Sequence, residues 1–288
     1  MPSRVPPAAG RVPLLPLVAP AASLSAAEER RYSRQLALPS LGAVGQRRLK
    51  NAQVLCVGAG GLGSPVLMYL AAAGVGALGV VDDDLVDESN LQRQIIHGRG
   101  DVGRAKAESA RDALAEVNPF VEVRAHRRRL DPSNAAALIE PYDLIVDASD
   151  NFATRYLIND ACVFAGKPCV WGSILRFEGQ AAVFWARHGP CYRCLHPAPP
   201  PPELVPTSGE AGVAGVACAA IGAIQAAEAI KLITGIGAPL IGSVLVFDAL
   251  EMECRKLTVR KDPHCAVCGE RPSVTGLIDY ERFCGAPG

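Results

Sequence analysis

Three glycines at the spacing Gly58-x-Gly60-x-x-Gly63 constrain the fold of this chain more than any other feature of its sequence. The apolar stretch Val54–Val57 precedes them and predicts a buried strand, and the stretch Ser64–Ala73 that follows predicts a helix. Such a turn lets the backbone approach a phosphate at the helix N-terminus, where free N–H groups favour an anion. The spacing alone is weak, because a plain tight turn or a nicotinamide or flavin dehydrogenase has the same pattern.

The sequence after the glycines completes a βαβ unit. A second apolar strand, Leu78–Val81, ends at Asp82, about 20 residues beyond the loop, where an acidic side chain can accept hydrogen bonds from a ribose. Helix and strand patterns continue to alternate as far as the buried strand Asp143–Asp147. We therefore predict an α/β, Rossmann-like fold with a mixed, mainly parallel sheet. Shorter strands are expected to extend it at Cys169–Gly172, Gly179–Ala186, Gly242–Ala249 and Lys256–Arg260, with antiparallel strands in this extension.

The chain divides into three parts by composition. Residues 1–27 are rich in Pro and Ala and predict a disordered extension. Residues 28–270 predict one catalytic domain, and residues 271–288 a C-terminal tail. The proline run within Pro197–Gly209 predicts an exposed crossover loop, because proline fits neither a helix interior nor a central strand.

Charge and hydrophobicity exclude two classes of partner. The chain has 29 basic and 29 acidic residues, so nothing in its charge favours nucleic acid or an anionic membrane. The long apolar segment Ala211–Gly235 contains Gln225, Glu228 and Lys231, which a membrane-spanning helix disfavours. We predict that this segment is a buried core helix.

Three charged residues favour ATP rather than a dinucleotide as the ligand of the glycine loop. Arg93, Lys106 and Asp150 supply the residue types that adenylation of a carboxylate needs, namely cations around the phosphates and a carboxylate for Mg²⁺. Taken singly, Arg93 and Lys106 are ordinary surface residues. A terminal carboxylate is already ionised at neutral pH, so no catalytic histidine is expected, and His97 and His126 are interpreted as structural, as is His188.

Four of the ten cysteines form two C-x-x-C pairs, Cys191 with Cys194 and Cys265 with Cys268. Two thiolate pairs of this spacing predict a tetrahedral Zn²⁺ site, and four protein ligands leave no open position for catalysis. We therefore predict a structural zinc. The remaining cysteines show no disulfide pattern, which favours a reducing, cytoplasmic environment.

The chain resembles the MoeB and ThiF adenylyltransferases, the bacterial relatives of ubiquitin-activating enzymes, from Arg31 to Gly269. The motifs that carry the resemblance are Arg31-Tyr32-Ser33-Arg34-Gln35, Gly58-Ala59-Gly60-Gly61-Leu62-Gly63-Ser64, Ser89-Asn90-Leu91-Gln92-Arg93-Gln94, Asp150-Asn151, Glu178-Gly179-Gln180 and the two cysteine pairs.

The resemblance implies a homodimer in which Arg34 reaches the ATP of the other subunit. It also implies catalytic roles for Arg93, for Lys106 on the phosphates and for Asp150 on Mg²⁺. The predicted nucleotide-binding residues are Gly58, Gly60, Gly61, Gly63, Asp82, Asp84, Ser89, Asn90, Leu91, Gln92, Arg93, Lys106, Asp150 and Asn151.

The implied substrate is a ubiquitin-like sulfur-carrier protein that ends in Gly-Gly. Its C-terminus would pass beneath the crossover loop, and ATP would adenylate it with release of pyrophosphate. In the family, the acyl-adenylate is later converted to a thiocarboxylate for molybdopterin, thiamine or cysteine synthesis.

Two features depart from the family pattern. Ser208 occupies the position where many relatives have a cysteine, so we expect release of an adenylate rather than a covalent cysteine intermediate. Cys218 and Cys254 are poor substitutes, because their apolar neighbours predict buried thiols. The tail resembles the segment that leads into a rhodanese domain in longer relatives, and a separate sulfur donor protein is expected here.

Three alternatives remain open from the sequence. The chain could be an NAD(P)-binding Rossmann oxidoreductase, although Arg93, Lys106 and the zinc site would then have no explanation. It could be a catalytically silent dimer partner, although no phosphate-site residue is lost. It could also adenylate a different carboxylate, on a peptide or linked to RNA.

Overall fold

The fold is built around a single eight-stranded sheet with the strand order β3-β2-β1-β4-β5-β6-β7-β8. The computed structural model describes residues 15–201 and 212–285. Within them the strands are β1 (Gln53–Val57), β2 (Ala77–Val81), β3 (Glu122–His126), β4 (Leu144–Asp147), β5 (Cys169–Leu175), β6 (Glu178–Phe184), β7 (Ser243–Asp248) and β8 (Glu253–Thr258).

The first five strands are parallel and the last three are antiparallel additions. This confirms the predicted α/β fold with a mixed, mainly parallel sheet. The chain order reverses between β1 and β4, which are neighbours in the sheet. Ligands of doubly wound sheets bind outside the carboxyl ends of the strands at such a reversal.

Helices cover both faces of the sheet. They are α1 (Ala26–Arg31), α2 (Ser33–Leu36), α3 (Gly42–Asn51), α4 (Gly63–Ala73), α5 (Lys106–Val117), α6 (Ala135–Ile139), α7 (Phe152–Ala165), α8 (Tyr192–Leu195), α9 (Gly215–Thr234) and α10 (Tyr280–Phe283). Two clusters of buried apolar side chains, one on each face of the sheet, form the core. Because helices shield both faces, β1, β2 and β4 are almost entirely apolar rather than alternating.

Helix α9 is a core helix, as predicted for this segment. It is long and apolar enough to cross a membrane by length and composition, but more than half of its most apolar stretch is buried inside the protein. Two of its three buried polar side chains form hydrogen bonds with backbone outside the helix. The Gln225 amide donates to the Asp147 carbonyl at 2.8 Å, and Glu228 accepts from the Leu240 N–H at 2.7 Å.

Residues 15–25 do not form the disordered extension that their composition predicts. Val18 is buried in the core, and the Leu17 N–H donates to the Leu232 carbonyl at 3.0 Å. Ser25 then caps α1 through a reciprocal pair of hydrogen bonds with Glu28. The apolar residues between the prolines pack into a groove beside α3 and α9. Composition alone does not predict this groove. Residues 1–14 lie outside the described residues.

The described part of the C-terminal tail packs against α7. Asp160 on α7 and Arg193 on α8 form a fully buried ion pair, and the Tyr280 hydroxyl donates to the same carboxylate at 2.9 Å. The Arg193 guanidinium lies between the rings of Tyr156 and Phe283, at 4.8 and 4.6 Å from their centroids. A buried pair needs such additional partners to offset its desolvation. These contacts bind α7, the first cysteine pair and the tail into one unit.

Replacing Gly63 tests how closely the turn between β1 and α4 is packed. An added Cβ there would lie 2.0 Å from the Gly58 carbonyl oxygen, whereas at Gly60 it would meet only the end of the Gln94 side chain at 3.5 Å. We expect Gly63→Ala to lower the free energy of unfolding by about 2–3 kcal/mol through overpacking. Gly60→Ala should leave it unchanged or raise it by up to about 1 kcal/mol. Urea denaturation of both variants measures the difference, and equal stabilities would contradict this account of the loop.

Candidate active site

A polar pocket of about 370 Å³ opens at the carboxyl ends of β1, β2 and β4, at the reversal of strand order. One wall is the glycine loop from Gly58 to Leu62. The acidic triplet Asp82–Asp84 forms a second wall, and Ser149–Asn151 form a third. The fold thus brings three segments that are distant in sequence to one cavity.

The glycine loop presents its backbone to this pocket. The Gly58 N–H donates to the Val81 carbonyl at 2.9 Å, which holds the loop against β2. Helix α4 begins directly after the loop, and no side chain caps its N-terminus. In its first turn the Ser64 N–H donates to the Gly60 carbonyl at 2.9 Å and Pro65 has no N–H, so the backbone donors left for an anion are those of the glycine loop, in the field of the helix dipole.

Asp82 joins the loop to the second strand. One carboxylate oxygen accepts from the Ala59 N–H at 2.8 Å and the other from the Asp84 N–H at 2.9 Å. Burial raises the pKa of Asp82, while the Ala59 N–H and nearby Lys106 oppose the rise. Each oxygen keeps a lone pair on the pocket side, so the carboxylate can also accept from ligand hydroxyl groups.

Lys106 is the first residue of α5, and only 6% of it is exposed. Its ammonium group lies 2.8 Å from a carboxylate oxygen of Asp84. A positive charge at a helix N-terminus opposes the helix dipole, and burial adds a desolvation cost. The structure therefore shows a lysine held in the pocket by one carboxylate, not the ordinary surface lysine that the position suggested by itself.

Most of the predicted nucleotide-binding residues line the pocket. They are Gly58, Gly60, Gly61, Asp82, Asp84, Arg93, Lys106, Asp150 and Asn151. Arg93 enters from the segment after the short 3-10 helix Glu88–Asn90, where its guanidinium donates to the Ser89 carbonyl at 3.3 Å. Asn151 caps α7 by accepting from the Thr154 N–H at 2.9 Å.

Six predicted residues do not line this pocket, namely Arg34, Gly63, Ser89, Asn90, Leu91 and Gln92. Gly63 lies behind the loop, and its lack of a side chain serves the packing of β1 against α4. The backbone of Gln92 instead packs against the start of α9, where a Cβ on Gly215 would meet the Gln92 carbonyl at 2.6 Å. Arg34 is exposed on α2, outside the pocket wall.

The pocket also contains polar residues that the sequence did not single out as ligands. They are Asp83, Gln94, Arg128, Arg129, Ser149, Thr154, Arg155 and Cys218. The run Arg127-Arg128-Arg129 directly after β3 was a usable signal, because the ends of parallel strands meet at one edge. Arg155 gave no such signal, since it lies in a helix among apolar residues.

Three other side chains that were interpreted from the sequence are His97, Cys218 and Cys254. His97 is buried, its Nε2–H faces the Ala59 carbonyl at 3.0 Å, and its Nδ1 then accepts from the Ser109 hydroxyl at 2.8 Å. Burial lowers the pKa of His97, in keeping with a neutral structural side chain. Burial also raises the pKa of Cys218 to about 11, which makes it a poor nucleophile as expected. The prediction of a buried thiol is wrong for Cys254, which is exposed on β8. Ser208 lies outside the described residues.

The four cysteines of the C-x-x-C pairs converge, with all their sulfurs within 4.8 Å of one another and no disulfide among them. Cys191 Sγ lies 3.9 Å from Cys194 Sγ and 3.5 Å from Cys265 Sγ, and Cys194 Sγ lies 3.4 Å from Cys268 Sγ. Sulfurs bound to one tetrahedral Zn²⁺ are roughly 3.8 Å apart. The arrangement is compatible with zinc and would tie the loop after β6 to the segment after β8.

The chain is similar to known proteins over most of its length. The ThiF family model matches residues 32–267. A probable adenylyltransferase/sulfurtransferase MoeZ of Mycobacterium tuberculosis is 60% identical over 276 residues, which cover 94% of this chain and 69% of that protein. The sulfur carrier protein adenylyltransferase of Thermus thermophilus is 56% identical over 260 residues, covering 88% of this chain and 96% of that protein.

Among solved structures, Escherichia coli MccB with ATP superposes with a TM-score of 0.74 at 26% identity, over 83% of this chain and 74% of that one. The fold, the pocket and these relatives define an adenylyltransferase. The chain belongs to the ThiF family. The oxidoreductase that the glycine loop alone left open finds no support among these relatives.

The cysteine cluster yields a test by metal analysis. We expect about one zinc per purified chain, and Cys268→Ser should lose it and melt at a lower temperature, because the metal closes a long loop between two segments. Cys254→Ser is the matched control and should keep both zinc and melting temperature. Plasma emission spectrometry and thermal melts provide the two measurements. A chain without zinc that melts as high as the zinc-containing protein would exclude a structural metal.

Proposed function

We propose that this enzyme uses ATP to adenylate the C-terminal carboxylate of a ubiquitin-like sulfur-carrier protein ending in Gly-Gly. The observation that carries the proposal is the pocket, where a buried lysine, an arginine and an uncapped helix N-terminus surround a glycine loop. The relative named sulfur carrier protein adenylyltransferase supports the substrate class, since this chain covers 96% of its length.

Each part of ATP has residues suited to it in this proposal. The β1–α4 loop, at the N-terminus of α4, donates backbone hydrogen bonds to the phosphates. Arg93 and Lys106 place two positive charges near the same phosphates, and Asp82 accepts from the ribose hydroxyls. Asp150 is the proposed carboxylate for Mg²⁺, which would neutralise phosphate charge when bound.

The reaction then requires no proton transfer. A carboxylate oxygen of the carrier attacks the α-phosphorus of ATP, and the bond between the α-phosphorus and its bridging oxygen breaks. Pyrophosphate leaves with that oxygen and its electron pair. Negative charge accumulates on the α-phosphate and on pyrophosphate, where fixed cations stabilise it without reorganisation. Neutral His97 and the weakly acidic Cys218 are not needed for this step.

Several predictions from the sequence and from the resemblance remain part of the proposal. They are the homodimer in which Arg34 completes the partner's site, the structural role of zinc, the separate sulfur donor and the cytoplasmic location. The later conversion of the acyl-adenylate to a thiocarboxylate, and the pathway it serves, are also proposed. So is the division into an extension, the domain 28–270 and the tail.

A second candidate keeps the chemistry and changes the carboxylate. It draws on MccB, which has been solved with ATP and with MccA, and which shares this fold. Identity to MccB is 26%, against 56% to the sulfur carrier protein adenylyltransferase, so the carrier is favoured.

Removing either pocket cation should slow adenylation. We expect Arg93→Ala and Lys106→Ala to reduce ATP–pyrophosphate exchange by about 10- to 1,000-fold, because each removes a charge placed at the phosphates. Arg111→Ala is the control for Lys106, since Arg111 is exposed on the same helix and pairs with its neighbour Asp112. Full exchange by both pocket variants would remove these residues from the proposed site.

The substrate is tested by exchange with each Gly-Gly-ending carrier protein encoded in the same genome. We expect one carrier to support ATP–pyrophosphate exchange. Deleting the final glycine of that carrier should abolish the exchange, because the attacking carboxylate is then displaced from the α-phosphate. ATP binding without exchange for any carrier would shift the proposal to a peptide or RNA-linked carboxylate.

A further inference from the structure

Arg155 is a buried cation of the pocket that has no role in the proposed phosphate site. It lies in the first turns of α7 and lines the cavity, and only 8% of it is exposed. Its guanidinium packs over the rings of Phe152 and Trp171, at 5.3 and 6.0 Å from their centroids. This packing fixes the plane of the guanidinium and removes water from its faces.

The hydrogen-bonding capacity of Arg155 is largely unused. One terminal nitrogen donates to the Ser149 carbonyl at 3.4 Å, and Nε has no acceptor. Arg155 also faces the hydroxyl of Tyr192. Over residues 15–201 and 212–285, no carboxylate lies within ion-pair distance of it. Burial raises the pKa of buried Asp147, the charge of Arg155 opposes that rise, and the Asp147 carboxylate accepts from the backbone N–H and hydroxyl of Ser149.

A buried guanidinium without a carboxylate at ion-pair distance is costly, because the protein interior does not fully replace its hydration. Arginine presents a planar pair of donors that matches the two oxygens of a carboxylate or phosphate. Arg155 lines the cavity proposed to bind substrates, but its Nε is buried, so the terminal nitrogens of the guanidinium are the donors that an anion from a substrate would meet.

The position of Arg155 along the sheet decides which substrate supplies that anion. Asp82 follows β2, the glycine loop follows β1 and Asp150 follows β4. Arg155 stacks on Trp171 of β5, one strand further from the ribose side. Ile174 of β5 and Val213, which pairs with Arg176, also line this pocket. A nucleotide that extends from β2 to the glycine loop leaves the β5 side of the pocket free.

We propose that Arg155 binds the terminal carboxylate of the acyl substrate and orients it toward the α-phosphate. The inference rests on the proposed function and adds the residue that recognises the substrate's reacting end. The positive charge also reduces the repulsion between the incoming carboxylate and the phosphates of ATP. After the transfer, the remaining acyl oxygen can still accept a hydrogen bond from the guanidinium.

The experiment is a double-mutant cycle on charge. The carrier protein that supports exchange is prepared with its natural terminal carboxylate and, by semisynthesis, with a terminal carboxamide. Their dissociation constants are measured calorimetrically for the parent enzyme, Arg155→Gln and Arg155→Lys, with α,β-methylene-ATP present to prevent adenylation. We expect the parent to prefer the carboxylate by about 10- to 100-fold, the range for a hydrogen bond to a charged group. Arg155→Gln should lose this preference, and Arg155→Lys should retain part of it.

The controls separate recognition from folding and from nucleotide binding. Arg111→Gln removes an exposed arginine and should retain the full preference, and thermal melts check each variant. Without carrier, Arg155→Gln should change the dissociation constant of the ATP analogue by less than roughly threefold, because the proposed role of Arg155 is to bind the carboxylate and not a phosphate. An unchanged preference for the carboxylate in Arg155→Gln, or a loss confined to nucleotide binding, would overturn the inference.

Exchange by the parent enzyme distinguishes this inference from the proposed function. If the parent exchanges with the carboxylate carrier while Arg155→Gln discriminates as the parent does, only the inference fails. If the parent exchanges with no carrier, the proposed function fails, and the assignment of Arg155 fails with it.

Discussion

The closeness of the backbones at the β1–α4 turn is the constraint on which the rest of the site depends. A Cβ at Gly58 would lie 2.7 Å from the carbonyl of Ala148, and a Cβ at Gly63 would lie 2.0 Å from the carbonyl of Gly58. The turn is therefore packed directly against the end of β4. This contact places the uncapped N-terminus of α4 beside Asp150 and Asn151, so that one cavity has both phosphate donors and carboxylates.

Charge in this cavity is arranged asymmetrically. Lys106 pairs with Asp84 on the ribose side, so its charge is partly balanced before any ligand binds. Arg155, on the β5 side, lacks a comparable partner among the described residues. The proposed reaction joins two anions, and the cost of bringing them together is lowest where fixed cations lie on both sides of the α-phosphorus. Buried cations are thus explained by the chemistry rather than by stability.

The second half of the chain supports α7, the helix that carries Arg155 and begins at Asn151. Asp160, further along this helix, accepts hydrogen bonds from Arg193 and Tyr280. In the sequence, Arg193 stands between Cys191 and Cys194 of the cysteine cluster. A metal held by the four sulfurs would therefore also stabilise the contact between α8 and α7. The tail is part of the same unit, although its composition suggested only a segment at the end of the domain.

Local pattern was sufficient for the elements of the fold. The apolar strands, the glycine turn and the two C-x-x-C pairs each depend on neighbours within a few residues, so the βαβ unit and the cysteine cluster could be predicted with nearly correct bounds. Asp82 could be predicted for the same reason, since a strand end fixes its place. What local pattern could not supply was the groove that binds residues 15–25, or the exposure of Cys254 on an edge strand.

The sequence by itself determined the class of fold, most of the residue types that line the pocket and the cluster of four cysteines, because spacing and periodicity encode backbone geometry directly. Only the tertiary structure decided which side chains share the cavity. Lys106 and Arg155 look like ordinary helix residues until the sheet aligns β2, β1, β4 and β5 in that order, and Gln92 packs against α9 instead of lining the pocket. The physical reason is that burial and charge balance arise from contacts between segments far apart in the chain, which no local pattern contains.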